Sequence, residues 1–261
     1  MRALVLLGKE LREIRRSRGL LLSMSALPLS MLPVPIVLVA GVAHAPMGDI
    51  HNLIGYYFGG AAGVSGDPRA DLIGLVVRNC VALFMVMPLF IPVLIAAQSV
   101  AGEKERRTIE PLLASPLAAW EIVLGKSLAA VVPALGISWF AFAVFAVGVD
   151  WLTLPLFHRL ILPDGSWLFG VLVLAPLLCF LGNTVTVLVS SRVSDSRLAQ
   201  QLSALIVVPL LALIVVQVTG LLFVDGRVYL WLGAAAATLD GLLFAAAVWL
   251  FDRQRILSRW G

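Results

Sequence analysis

The chain is short of charge. Asp, Glu, Lys and Arg make up 13% of its 261 residues, against about 25% in an average soluble domain. Hydrophobic residues reach 61%, and several runs of more than 18 residues carry no charge at all. Each such run is long enough to cross a hydrocarbon core of about 30 Å. A soluble globular protein is excluded, and the spans are expected to use up most of the length, leaving no room for a separate soluble catalytic domain.

Cysteine and histidine are scarce as well. Cys80 and Cys179 both fall in apolar stretches, where buried, inert thiols are expected and no disulfide or metal framework is implied. His44, His51 and His158 all lie between spans, so no base is at hand for a nucleophilic serine. Gly63-Val-Ser65-Gly66 has the Gly-x-Ser-Gly spacing of intramembrane serine proteases, yet it reads as a turn beside Asp67-Pro68. His44, Asp49 and His51 are three loose ligands in one connection rather than a metal site. Gly125-Lys126-Ser127 ends like a phosphate-binding loop, but the first glycine of that pattern would stand at Trp120, and no strand precedes it. The chain is therefore expected to hydrolyse nothing itself and to hold no cofactor or metal.

What the sequence does have is spans. They are expected at about Leu20–Ala43, Asn79–Ala101, Ser127–Val149, Trp167–Ser191, Leu198–Val224 and Val228–Phe251. The first is too long for the apolar core of a signal peptide and is read as retained. Prolines at 28, 33, 35, 88, 92, 133, 176 and 209 predict kinks within helices that neighbouring helices can tolerate. The fold class is an all-α integral membrane protein. It forms a single domain over 1–261, made of an interfacial amphipathic helix at 1–19, a six-span bundle at 20–251 and a cytoplasmic tail at 252–261.

Orientation follows from the basic residues of the connections. The N-terminal segment, the second-to-third and fourth-to-fifth connections and the tail carry 15 Lys and Arg, and the other side carries four, Arg69, Arg78, Arg159 and Arg227. Both termini are thus expected in the cytoplasm. The net charge of +4 is a topology signal and an attraction to anionic lipid, not a nucleic-acid signature. In the leader, Leu4, Leu7, Leu11 and Ile14 share one helical face, while Arg2, Lys9, Arg12 and Arg16 share the other, the pattern of a helix lying on the inner leaflet. Between the first two spans, Ile50–Val64 is apolar but too short to cross, so it reads as interfacial or re-entrant. Gly55-x-x-x-Gly59 within it has the spacing of a helix-packing motif.

The most informative run is 101–126, a charged segment held between two spans. Glu103 pairs in the favourable order with Arg106 and Arg107, and Ile109, Leu112 and Leu113 form an apolar edge one turn long. Pro111 and Ser115-Pro116 punctuate it, with Ser115 as a candidate N-cap and Pro116 at the first position of a short helix. Trp120 suits the interface, and Lys126 marks the return into lipid. From composition alone this is a solvated loop capping two helices, or a docking lever.

The residues resemble a known family here, the permease subunits of type-2 ABC exporters. Glu103-Lys-Glu-Arg, Thr108-Ile-Glu110, Leu112-Leu113, Ser115-Pro116 and Glu121-Ile-Val-Leu-Gly-Lys126 follow its pattern at this point, and Phe251-Asp-Arg-Gln-Arg-Ile-Leu257 resembles its ending. Arg107 departs from it, standing where many members carry glycine. The external domain of some members is absent.

The resemblance implies a cytoplasmic coupling helix that seats in a separate ATP-hydrolysing subunit. Glu103, Arg106, Arg107, Thr108, Ile109, Glu110, Leu112 and Leu113 would dock, together with Arg192 and Arg197 of the fourth-to-fifth connection. It also implies two ATPase copies that bind ATP and Mg, a second permease (the same chain or a paralogue), and the plasma membrane of a bacterium or archaeon. The second and fifth spans would line the pathway, bringing Phe84, Met85, Met87 and Gln217 to cargo; helix packing is the other, and favoured, reading of these residues. Asp240, near mid-membrane in the sixth span, is costly there and is a functional candidate on physical grounds; a structural hydrogen bond is the other reading. Asn183 in the fourth span is a weaker signal of the same kind. A subunit that drives an external partner without transport is the alternative function, and an intramembrane enzyme is disfavoured by the lack of clustered titratable groups.

Overall fold

The structure, a computed structural model, describes residues 7, 8, 10–12, 14, 16–58, 67–105, 118–193, 195–218 and 226–258, and among these all regular structure is helical. The described residues between 7 and 16 are helical, and Ser17 ends that segment with an extended backbone while its Oγ caps the next helix at Leu20 N. Then follow α1 (Arg18–Met31), α2 (Pro33–His44), α3 (Met47–Phe58), α4 (Pro68–Phe84), α5 (Val86–Glu105), α6 (Ala119–Phe157), α7 (Gly165–Phe169), α8 (Ala175–Arg192), α9 (Ser196–Ala204), α10 (Val208–Val218) and α11 (Gly226–Ser258).

Five helical runs among the described residues are long and apolar enough to cross a membrane, 68–102, 119–157, 165–192, 196–217 and 228–250. A further candidate is the pair α2 and α3, bent by 115°. The chain is thus an all-helical multi-pass membrane protein. The second and third expected spans begin well before the sequence suggests, because charge marks where lipid ends and not where the helix does. At 1.5 Å per residue the 39 residues of α6 extend roughly 58 Å, far beyond the apolar core.

Prolines leave their mark one turn upstream, where the missing N–H frees a carbonyl and the ring crowds it. Pro33 and Pro35 interrupt the run expected over Leu20–Ala43, yet Leu32 between α1 and α2 keeps helical dihedrals (φ −59°, ψ −44°). Pro88 follows the turn at Met85 that separates α4 from α5. Pro176 follows a π-helical turn, Gly170–Leu174, whose widened ladder runs from Ala175 N–H to Gly170 O. Pro209 follows a 3-10 turn, Leu205–Val207, that joins α9 to α10. Pro92, Pro133 and Pro155 lie inside unbroken helix.

α5 is the centre of the bundle and packs most extensively against α8. Their crossing depends on Gly182, since a Cβ there would land on the carbonyl oxygen of Leu89. Small residues that admit a neighbouring backbone are how helices associate in lipid, where apolar surface alone gives no preference for protein over hydrocarbon. At the other end of the bundle Trp167, fully buried, stacks on Phe142 at 5.0 Å and tilts against Phe145 at 5.1 Å, with Phe84 edge-on at 5.3 Å. Its Nε1–H donates to Val77 O at 3.2 Å.

Candidate functional site

The two connections expected to dock an ATPase meet through one side chain. Glu105, at the end of α5, accepts the backbone N–H of Ser196 at 2.8 Å, the first residue of α9. The Ser196 hydroxyl lies 3.3 Å from the other carboxylate oxygen. Asp195 caps the same helix, accepting from Arg197 N at 2.7 Å and Leu198 N at 3.4 Å. Two carboxylates thus face the positive end of α9, the favourable arrangement for a helix dipole. Below them Ala97 and Ala101 of α5 pack on Ala199, small side chains that bring the two helices close. Arg192 and Arg197 are both exposed beside this junction. Glu105 belongs to the charged run but stood outside the docking residues read from the sequence. The side chain of Glu103, and Arg106, Arg107, Thr108, Ile109, Glu110, Leu112 and Leu113 entire, lie outside the described residues, as do Ser115 and Pro116.

A second polar cluster stands at the same end. Lys126 Nζ donates to Glu10 Oε1 at 3.1 Å, to Ser99 Oγ at 3.0 Å and to Ser99 O at 3.4 Å. Ser99 Oγ donates in turn to Glu10 Oε2 at 3.1 Å. Glu10 and Lys126 are each 4% exposed. One residue on, Ser127 accepts from Asn183 Nδ2 at 2.7 Å, tying α6 to α8. Lys126, expected where the chain returns into lipid, is interior to the chain and paired. The leader is likewise turned toward the protein, with Glu10 and Ile14 buried and Leu11 packed on the main core, while Arg12 and Arg16 are exposed. The missed signal was Glu10 itself, an acid set between Leu7, Leu11 and Ile14 on the apolar face, with a lone lysine inside an apolar run to match it.

The residues expected along a pathway are interior to this one chain. Phe84 is 4% exposed and contacts Phe145 at 4.7 Å between ring centroids. Met85 and Met87 are buried, Met85 in the main core with Phe84 and Trp167. A small cavity beside the turn at Met85 is lined by Phe84, Met85, Pro88, Ser138, Trp139 and Trp167. Gln217 and Asp240 are buried too; Gln217 faces Tyr229, and among the described residues the Asp240 carboxylate has no hydrogen-bond partner. Asp240 shares a face of α11 with Gly233, which abuts Phe169, and with Phe244, which meets Phe180 at 5.7 Å.

His44 and His51 each pair Nδ1 with the carbonyl one turn back in their own helix, at 2.8 Å to Ala40 O and 2.8 Å to Met47 O. Among the described residues no cluster of three metal-ligating side chains occurs. Gly59 and Gly63–Gly66 lie outside the described residues.

Residues 4–225 match the family model described as "ABC-2 family transporter protein". No curated protein matches the sequence. With most of its length matched, the chain belongs to the ABC-2 transporter family and is a permease component of an ABC transporter, a multi-pass membrane protein that works with an ABC ATPase.

Proposed function

We propose that the chain is the permease half of an ATP-driven exporter. It pairs with a second permease, a further copy or a paralogue, and with two separate ATPase subunits that bind ATP and Mg. It resides in the plasma membrane of a bacterium or archaeon, with both termini in the cytoplasm. It performs no hydrolysis itself. The observation that carries this reading is the junction at Glu105. A push on either charged connection, 101–126 or 192–197, is delivered to α5 and α9 together, because the carboxylate of one holds the first turn of the other.

Mechanically, closure of an ATPase dimer displaces the coupling segment. Glu103, Arg106 and Arg107 steer and register the contact, while Ile109, Leu112 and Leu113 fill a pocket as its anchor. α5 is packed on α8, α6 and α9, so its displacement is shared by the bundle. Cargo then passes outward between two permeases, from the cytoplasm or inner leaflet. The scarcity of polar side chains in the spans favours a lipid, hydrophobic drug or peptide over an ion. Asp240 is a buried polar group whose unmet hydrogen-bonding capacity among the described residues suits a contact made only during the cycle.

The test is ATP hydrolysis by the chain co-expressed and reconstituted with an ABC ATPase encoded beside its gene. Glu103→Ala combined with Leu113→Asp is expected to abolish or uncouple hydrolysis in that complex. Wild-type behaviour of the double variant, or no bound ATPase at all, overturns the assignment of 101–126. A stable external partner on purification would favour force transmission without transport.

A further inference from the structure

We propose that Glu10, Ser99 and Lys126 form a clamp that makes the N-terminal helical segment part of the unit moved by the ATPase, with Glu10 as its positioning residue. The proposal rests on the coupling role given above to the 101–126 connection.

Among the described residues, Lys126 donates to three acceptors, and each oxygen of Glu10 receives a donor. Ser99 bridges the two, accepting from the lysine and donating to the glutamate. Such a network fixes one geometry, whereas losing either Glu10 or Lys126 removes the buried partner of the other charge.

Its location gives it a use. Ser99 lies in α5 before the coupling segment, and Lys126 lies in α6 after it. Both ends of the segment are therefore bonded to one carboxylate, carried by a third element. Displacement of 106–117 must carry Glu10 along or break the cluster.

Anchoring alone did not require charge. A leucine at position 10 would complete the apolar face of Leu7, Leu11 and Ile14, and a buried ion pair is often replaceable by apolar side chains without loss of stability. What apolar contacts do not supply is register. A helix held by leucines can slide by a turn; one held by a buried ion pair cannot do so without separating the charges.

Pulsed electron resonance reads this directly. Spin labels go on Arg12→Cys, Gln98→Cys and Trp120→Cys, all exposed positions, in pairs, on the chain assembled with its ATPase in nanodiscs; Cys80 and Cys179 are buried and out of reach of the label. The 12–98 and 12–120 distances are expected to be equal in nucleotide-free and vanadate-trapped complexes. Glu10→Met with Lys126→Met is expected to keep the melting temperature but broaden both distributions. Glu10→Gln, which keeps the shape and removes the charge, is the second variant, with the same broadening expected.

A shift of either distance on trapping overturns the clamp, since the cluster then opens during the cycle. Narrow distributions in both variants overturn the positioning role of Glu10. Failure of any ATPase to bind sinks the coupling reading and this one with it. A bound ATPase with shifting distances sinks the clamp alone.

Discussion

Two apolar stretches of this chain, α4–α5 and α9–α10, look alike as sequence and are placed oppositely. Of the most apolar part of 68–102, 89% is buried inside the chain; of 196–217, 17% is. Hydropathy cannot separate them, because lipid is as apolar as leucine and gives no reason to prefer protein. Shape does. α5 offers Ala96, Ala97, Ala101 and Gly102 to its neighbours, and its partner α8 opens a gap at Gly182. α9–α10 offers Leu198, Leu202, Leu205, Val208, Leu211 and Val215, all exposed. The first is the post around which the bundle is assembled; the second is left for something outside the chain to cover.

The strongest way to break this contrast is at the post. Gly182→Val places branched carbon on the Leu89 carbonyl, backbone that cannot swing aside. The expected result is loss of the monodisperse peak in fluorescence-detected size-exclusion chromatography. Gly136→Ala on α6, where a Cβ meets nothing within 4 Å, should leave that peak unchanged. Equal behaviour of the two variants would remove the argument that close approach sets the interior.

Next in size is Trp167→Ala, which empties the centre of the aromatic cluster and removes the bond to Val77 O. A loss of about 3–5 kcal/mol is expected for an aromatic truncated in a packed core, read as a drop in melting temperature in detergent. Trp231→Ala on α11, exposed at 77%, is the matched control and should scarcely move it.

Asp240 tests the contrast with opposite sign. α11 is mostly uncovered, with 22% of its apolar stretch buried, and Asp240 sits on the face that does pack. Replacing a buried carboxylate that has no partner among the described residues by leucine should stabilise the chain by about 2 kcal/mol, given the roughly 2.5–3.5 kcal/mol that insertion scales assign to aspartate at mid-span. The melt of Asp240→Leu checks it. A gain in stability accompanied by loss of ATP-coupled activity would identify a group retained for function, whereas a lower melt would identify a structural bond.

How much was legible follows from what kind of force acts at each place. Crossing a membrane depends on composition summed over about 20 residues, so the fourth expected span, Trp167–Ser191, falls wholly within 165–192. Proline chemistry is local, and it announced the irregular turns before Pro88, Pro176 and Pro209. Glu10, Ser99 and Lys126 were not legible as a group. They are separated by 89 and 27 residues, and only the packing of three helices brings them together. The pairing of Lys126 was hidden for the same reason: a lone lysine in an apolar run looks like a membrane anchor until a buried carboxylate is found beside it. The tight crossing at Gly182 was equally silent, as it is one glycine among 22.

A smaller effect separates the junction of the two connections from the bundle it sits on. Glu105→Ala removes the acceptor for Ser196 N–H, but the site is exposed and water replaces the bond. A loss of about 1 kcal/mol is the ceiling. Hydrogen exchange should rise over the first turn of α9 and stay unchanged across α8. Unchanged exchange at Ser196–Leu198 would show that Asp195 alone holds that turn.

The smallest expected effect is the most instructive for the uncovered helix. Leu205→Ala, Leu211→Ala and Val215→Ala truncate exposed side chains, and each should alter the stability of the single chain by no more than about 0.5 kcal/mol. The same truncations at Leu72, Ile73 or Ile91, which are buried, should each cost about 2–5 kcal/mol. If lipid covers α9–α10, the three changes together leave the oligomeric state in nanodiscs untouched. If a second permease covers it, mass measurement should find the dimer fraction falling while the melt of the monomer holds, because packing across that face is then the contact that was lost. A large destabilisation of the monomer would mean that the face is already occupied within the chain, and the contrast between post and uncovered helix would fail.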